Sequence, residues 1–164
     1  MYRIVLLLTL FFSLGLSAQT DLKQLLDKEN NNSIPYVSPG ELAHFENKPV
    51  LLDAREKREY NVSRIEGAKY VGYEYFNLRK TLKQLPNQND TIVVYCSLGV
   101  RSEDIAEQLK ANGYKNVFNL YGGIFEWKNE SYEVIDSKGN ATEKVHAFDQ
   151  HWGKWLKKGE KVYD

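Results

Sequence analysis

Hydrophobic and polar positions change their period along the chain, and these changes predict alternating strands and helices. Short apolar runs at 49–54 and 91–95 are typical of buried strands. The β-branched residues of the second run favour the centre of a parallel sheet. Residues 68–71 and 116–121 predict two further strands. The pattern therefore predicts an α/β fold, a doubly wound parallel sheet of about five strands with helices on both faces.

The segments between these strands carry helix signals. Ser38, Pro39 and Glu41 predict a helix that begins with a capping box. The charged residues 55–62 are compatible with a second helix, and apolar positions between 75 and 85 predict a third.

Two more helices follow the second apolar strand. Ser102 is a candidate N-cap and Gly113 a natural C-terminal stop for the first of them. Gly122 and Gly123 predict a tight turn into a short helix that carries Ile124, Phe125 and Trp127. We expect the helix over 75–85 to end near Pro86.

The first residues resemble an export signal in their layout. Arg3 precedes a nearly continuous apolar run over 4–16, and small residues at 17–19 offer a cleavage site. A helix needs about 20 apolar residues to span a bilayer, and this run is shorter. We expect residues 1–18 to be a signal peptide, with an uncleaved anchor as the alternative. The protein is then exported, either periplasmic or secreted, and residues 19–34 form a helix and a linker.

Charge and composition narrow the classes of partner. The 22 basic and 22 acidic side chains balance, so nothing favours nucleic acid, which selects basic surfaces. Hydrophobic residues make up 42% of the chain, enough for a folded core. We expect a monomer that does not bind nucleic acid.

Cys96 is the only cysteine, so no internal disulfide can form. An unpaired cysteine in an exported protein is a candidate reactive thiol, and the alternative is an inert thiol in the core. Its position favours reactivity, because it follows a predicted strand and begins a loop that leads into a helix. Amide groups of such a loop attract an anion, Gly99 allows a tight path and Arg101 adds positive charge. We expect a lowered pKa for Cys96.

Three segments resemble the rhodanese family, over about 35–133. The first joins Leu-Leu-Asp-Ala-Arg at 51–55 to Ile-Glu-Gly-Ala at 65–68, the second is 94–102 around Cys96, and the third is 117–127. The resemblance implies a sulfurtransferase in which the Cys96 thiolate takes a sulfur atom from a small anionic donor such as thiosulfate. A thiol or cyanide then accepts the sulfur from the Cys96 persulfide.

The resemblance also implies residue roles. Asp53 and Arg55 support the site, with Arg55 expected to pair with Glu59, and no cofactor or metal is implied. A reducing protein is a further expected partner, because an exported thiol is exposed to oxidation. The residues expected to bind the donor and the persulfide are Ser97, Leu98, Gly99, Val100, Arg101 and Ser102.

Departures from the family pattern leave alternatives open. Residues 63–68 lack the usual His and Pro of the family's Gly-His-Ile-Pro-Gly-Ala turn. Ser97 and Leu98 make the Cys96 loop less basic, so the identity of the sulfur donor stays open. Related phosphatases place five residues between Cys and Arg. Only four lie between Cys96 and Arg101, which predicts no useful phosphatase activity. The second alternative is a binding or sulfur-carrier module without turnover.

Residues 134–164 extend beyond the resemblance. Their apolar side chains fall at helical spacing and predict an amphipathic helix that packs on the domain. A further interpretation is that its aromatic face shapes the acceptor entrance or docks a partner. The spacing of His146 and His151 does not favour a metal site. The predicted stripe comprises Val145, Phe148, Trp152, Trp155 and Leu156.

Overall fold

The computed structural model describes residues 21–85 and 87–164, so the predicted signal peptide and Pro86 lie outside the described residues. The chain divides into two compact units, Met1–Asn32 and Ser33–Asp164. In the first unit, residues 21–29 form helix α1, as the leucine spacing predicts. None of the helices within the two described ranges combines the length and the apolar character that crossing a membrane requires.

A five-stranded parallel sheet forms the centre of the second unit, in the order β1-β5-β4-β2-β3, which confirms the predicted fold class. All four residues of β4 are buried, as the β-branched run predicts. The two-residue strand β1 has no clear signal in the sequence. The strands are β1 (Tyr36–Val37), β2 (Val50–Asp53), β3 (Lys69–Tyr70), β4 (Ile92–Tyr95) and β5 (Val117–Leu120).

The helices follow the predicted order, and their ends differ from the predicted ones by a few residues. Ser38 and Glu41 form the predicted capping box at α2. The helix predicted over 75–85 covers only α4, because the Asn77 side chain accepts a hydrogen bond from the Lys80 amide and starts the helix there. The helices are α2 (Pro39–Ala43), α3 (Lys57–Val62), α4 (Leu78–Leu82), α5 (Arg101–Ala111) and α6 (Gly123–Asn129).

The prediction of an amphipathic helix for the C-terminal residues is wrong. The chain instead forms strands and one short helix, and β8 pairs with β9 in parallel. Phe148 has a φ of 65°, which interrupts any helix, and Asp149 then caps the next helical turn. The elements are β6 (Val134–Ile135), β7 (Ala141–Thr142), β8 (Lys144–His146), α7 (Gln150–Gly153) and β9 (Glu160–Val162).

The apolar positions of this C-terminal segment are nevertheless buried or half-buried. Val145 and Leu156 are fully buried, and the three aromatic residues of the predicted stripe are half-buried. The Asn129 side chain at the end of α6 donates to the Trp155 carbonyl over 2.9 Å. The spacing identified side chains that pack on the domain, whereas the backbone conformation between them is not helical.

Candidate active site

Cys96 follows β4 directly, and the first residues of α6 hold the backbone around it. The amide of Ile124 donates to the Cys96 carbonyl over 2.9 Å, and that of Phe125 donates to the Ser97 carbonyl over 3.1 Å. Gly123 makes this approach possible. A Cβ at Gly123, whose φ is 56°, would lie 2.4 Å from the Cys96 oxygen. The Gly-Gly turn therefore positions the loop as well as starting the helix.

Donors from Gly99 and Ser102 approach the sulfur of Cys96, and the backbone of Ser102 takes part as well as its side chain. The Gly99 amide donates to Sγ over 3.1 Å, and the Ser102 hydroxyl oxygen lies 3.5 Å from it. Gly99 has a φ of 104°, and a Cβ there would lie 3.2 Å from the Leu120 carbonyl. A side chain at this position would displace the amide that faces the sulfur.

Asn119 on β5 braces this arrangement. Its Nδ2 donates to the Gly99 carbonyl over 2.7 Å, while its Oδ1 accepts from Ser102 Oγ over 2.7 Å. The single Ser102 proton therefore bonds to Asn119 in this geometry and can turn to Sγ only when the sulfur becomes the stronger acceptor. Asn119 is not among the residues predicted for the site, although a buried amide within an otherwise apolar strand is a usable signal.

Ser102 is not the N-cap that the sequence predicts. Helix α5 begins at Arg101 with Val100 as its N-cap residue, and no side chain caps it. Ser102 lies one residue inside the helix and is fully buried. Its hydroxyl is thereby turned toward Cys96 and Asn119.

Arg101 pairs with Glu59, which corrects the predicted pair between Arg55 and Glu59. The two guanidinium NH groups of Arg101 reach the two carboxylate oxygens of Glu59, each over 2.8 Å. Ser97 Oγ bonds to both partners, at 3.0 Å from Arg101 and 3.1 Å from Glu59. The bidentate pair compensates the charge of Arg101 and ties the loop to α3.

Arg55 pairs with Asp53 instead. Both side chains are fully buried, the contact is 2.6 Å, and Arg55 also donates to the Ser63 carbonyl over 2.7 Å. Its guanidinium lies 5.7 Å from the centre of the Tyr95 ring. These contacts join the ends of two strands to the turn at Ser63, beside the site and without reaching Cys96.

The surroundings lower the pKa of Cys96. Burial alone would raise it, but the positive charge of Arg101 and hydrogen bonds from Ser102 and Gly99 outweigh that effect. The predicted direction is confirmed. The thiolate is the nucleophilic form of cysteine, so the loop favours the reactive state without a separate base.

A cavity of about 190 Å³ lies next to Cys96. Residues 96–98, 100 and 101 line it, together with Phe148 and Trp152 from the C-terminal segment. The Arg101 guanidinium lies 5.0 Å from the centre of the Phe148 ring. Of the expected binding residues, Gly99 and Ser102 contact the sulfur, whereas Ser97, Leu98, Val100 and Arg101 line the cavity. Phe148 and Trp152 join the site through tertiary packing.

Metal ligands do not cluster in the part of the chain that the structure describes. There, no group of three or more His, Cys, Asp or Glu side chains could hold a metal ion. His146 instead accepts a hydrogen bond from the Phe148 amide through Nδ1 over 3.0 Å, and its Nε2 lies 3.2 Å from Asp164. These contacts give His146 a packing role at the turn that carries Phe148.

Comparison with known proteins matches residues 38–130 to the family of the rhodanese-like domain. The chain is 35% identical to a tRNA uridine(34) hydroxylase of Protochlamydia amoebophila over 62% of this chain and 34% of that protein. It is 33% identical to a putative sulfur carrier protein, YrkF, of Bacillus subtilis over 63% of this chain and 56% of that protein. The chain thus spans about a third to just over a half of these relatives.

A solved structure has the same fold. The rhodanese-related protein of Thermoplasma volcanium superimposes with a TM-score of 0.55 at 27% identity, over 62% of this chain and 97% of that one. The residues 38–130 that match the family contain Cys96 and its loop, whereas Phe148 and Trp152 lie beyond them.

Proposed function

Because the chain belongs to the rhodanese-like domain family, we propose that it is a sulfurtransferase that carries sulfur as a persulfide on Cys96. The observation that carries the proposal is the contact set of the sulfur. Sγ receives the Gly99 amide at 3.1 Å, lies within reach of Ser102 and opens onto a cavity. Such donors favour an anionic sulfur, whether it is the thiolate or the persulfide.

The first half-reaction loads the cysteine. The Cys96 thiolate attacks the outer sulfur of a donor such as thiosulfate, a new S–S bond forms, and the old S–S bond breaks. Sulfite leaves with the electron pair, so the negative charge passes to the outer sulfur of the persulfide. The lowered pKa of Cys96 increases the fraction of thiolate that is ready to attack in this step.

The second half-reaction unloads it. A thiophilic acceptor, cyanide or a thiolate, attacks the outer sulfur of the persulfide, and the Cys96 thiolate leaves with the electron pair. With cyanide the product is thiocyanate, and the enzyme returns to its starting state. The two steps share one sulfur-binding loop, so donor and acceptor react in turn and the kinetics are ping-pong.

We also propose that the protein works outside the cytoplasm, on the basis of the signal-like residues 1–18. A thiol with a lowered pKa oxidises readily in such a compartment. A thiol-reducing protein partner is therefore part of the proposal. Cell fractionation with an antibody against the mature chain tests it, and retention in the cytoplasm would contradict it.

Mass spectrometry of the intact protein tests the loading step. After incubation with thiosulfate, wild type is expected to gain the mass of one sulfur atom, and Cys96→Ala to gain none. On addition of cyanide the adduct disappears and thiocyanate forms. The unfolding temperature of Cys96→Ala serves as the control for folding. A wild-type protein that takes up no sulfur from a donor panel would contradict the proposal.

The similarity to the putative sulfur carrier protein of Bacillus subtilis favours a second candidate, a sulfur carrier without turnover. A carrier would load Cys96 in the same way but pass the sulfur only to a dedicated protein partner. Steady-state turnover with a small acceptor distinguishes the two. Stoichiometric loading together with no multiple turnover supports the carrier.

A further inference from the structure

Two aromatic side chains from outside the family-matched region line the cavity next to Cys96. Phe148 lies in the turn between β8 and α7, Trp152 lies on α7, and both are half-buried. Leu98 and Val100 from the loop complete an apolar lining. The C-terminal segment therefore adds apolar surface to a site whose reactive atom belongs to the shared domain.

The same cavity offers little to compensate a highly charged ligand. Within the described residues, Arg101 is its only basic lining residue, and both of its terminal NH groups bond to Glu59 at 2.8 Å. A dianion such as thiosulfate would lose water there without gaining an uncompensated cation. An organic group would instead bury apolar surface against the aromatic rings.

The size of the cavity limits that organic group. An apolar cavity of about 150 Å³ lined by aliphatic and aromatic side chains is enough to bind benzene. The cavity next to Cys96 has about 190 Å³. Pockets for drug-sized ligands measure about 300–1,000 Å³. One ring or a short alkyl chain therefore fits, and a larger group does not.

We propose that Phe148 and Trp152 determine specificity by selecting a donor whose sulfane sulfur is attached to an apolar organic group of about the size of one ring, in preference to donors with a smaller group and to thiosulfate. The inference rests on the proposed sulfurtransferase function. With an aryl thiosulfonate, the Cys96 thiolate attacks the terminal sulfur and forms the persulfide S–S bond. The old S–S bond breaks, and the aryl sulfinate leaves with the electron pair.

Wild-type protein provides the first test, with cyanide as the acceptor. The kcat/KM for benzenethiosulfonate is divided by that for methanethiosulfonate, and the quotient is normalised by the reactivity of both compounds toward a free alkanethiolate. The expected preference for the aryl donor is at least about tenfold, the scale of discrimination by apolar contacts in a pocket. A normalised quotient near one would overturn the proposal, and this measurement requires no variant.

Trp152→Ala and Trp155→Ala form a matched pair for the second test. Both tryptophans are half-buried in the same segment, but only Trp152 lines the cavity. We expect Trp152→Ala to reduce the aryl preference about tenfold and Trp155→Ala to preserve it, with Phe148→Ala behaving like Trp152→Ala. An unchanged preference in both cavity variants would overturn the assignment.

Loading with thiosulfate or methanethiosulfonate distinguishes a failure of the donor specificity from a failure of the sulfurtransferase function. If these small donors place sulfur on Cys96 but the aryl donor has no advantage, the specificity fails and the sulfurtransferase function stands. If no donor places sulfur on Cys96, the function fails, and the specificity fails with it.

Discussion

The Cys96 loop and the C-terminal residues 144–162 line one cavity but are held by different kinds of interaction. Backbone amides of α6 and the Asn119 side chain on β5 hold the loop, including the Ile124 amide on the Cys96 carbonyl at 2.9 Å. The C-terminal residues depend on buried side chains and on the pairing of β8 with β9, which places the Ala147 amide 2.8 Å from the Val162 carbonyl. The loop governs the ionisation of the sulfur, and the C-terminal segment governs the space around it.

The Cys96 loop and the C-terminal segment thus separate the reactive sulfur from the side chains that we propose to determine its selectivity. The loop lies within the family-matched residues 38–130, so its donors belong to the part of the chain that the family shares. Phe148 and Trp152 lie outside that range and contact the cavity without contributing a donor to the sulfur. Variants of the two regions should therefore have separable effects.

Glu59→Gln should have the largest effect, because it leaves the Arg101 charge without its buried partner. Removing one member of a buried pair costs about 3–5 kcal/mol, and the partial exposure of Arg101 favours the lower end, about 3 kcal/mol. Denaturant unfolding measures this loss. The exposed Glu66→Gln is the control and should stay within about 0.5 kcal/mol of wild type.

The contribution of Glu59 should also depend on pH. Burial raises the pKa of Glu59, but Arg101 and Arg55 outweigh that effect and lower it from 4.5 to about 2. A carboxylate with a lowered pKa stabilises the fold fully above pH 4.5, and the stabilisation is lost as the pH falls toward 2. The advantage of wild type over Glu59→Gln should shrink over this interval. An equal advantage at both ends would contradict the assigned pair.

Ser102→Ala should affect the sulfur without a comparable loss of stability. Its hydroxyl turns to Sγ when the thiolate forms, so its removal raises the pKa of Cys96. A hydrogen bond to a charged group contributes about 1.5 kcal/mol, so alkylation by iodoacetamide below the pKa should slow about tenfold. Ser63→Ala is the control, because that buried hydroxyl has no partner in the described structure. The same pH midpoint in Ser102→Ala and wild type would rule out this role.

Phe148→Ala should have the smallest effect on ionisation and a distinct effect on access. Removing the ring enlarges the cavity, so a bulky maleimide should react severalfold faster relative to iodoacetamide. The pH midpoint of alkylation should move less than in Ser102→Ala, because Phe148 reaches the sulfur only through Arg101, 5.0 Å from its ring. A shift in the pH midpoint as large as that of Ser102→Ala would show that Phe148 also controls the ionisation of Cys96, and it would contradict the separation of ionisation from access.

The alternation of strands and helices and the position of Cys96 could be predicted from the sequence, because both depend on local patterns. The capping box at Ser38 and the Gly122-Gly123 turn belong to the same class. The partner of Glu59 could not be predicted in this way. Arg55 is nearer along the chain, whereas the actual partner, Arg101, is 42 residues away and is brought close only by the fold.

The C-terminal segment shows the limit of periodicity. Val145, Trp152 and Leu156 fall at helical spacing, and the same spacing also fits a strand, a turn and one helical turn. The left-handed conformation of Phe148 decides between them. Nothing in the local sequence marks this residue, because phenylalanine rarely adopts a positive φ. Tertiary packing therefore determines the backbone conformation of the C-terminal segment.

Because Cys96 is buried, its thiolate and its persulfide differ in how far their terminal sulfur extends toward solvent. The residue is 2% exposed, so a reactant approaches its sulfur through the neighbouring cavity. A second sulfur atom adds a bond of about 2 Å and has to occupy that cavity. The persulfide of the proposed function thus presents its transferable atom nearer the opening than the sulfur of the empty form.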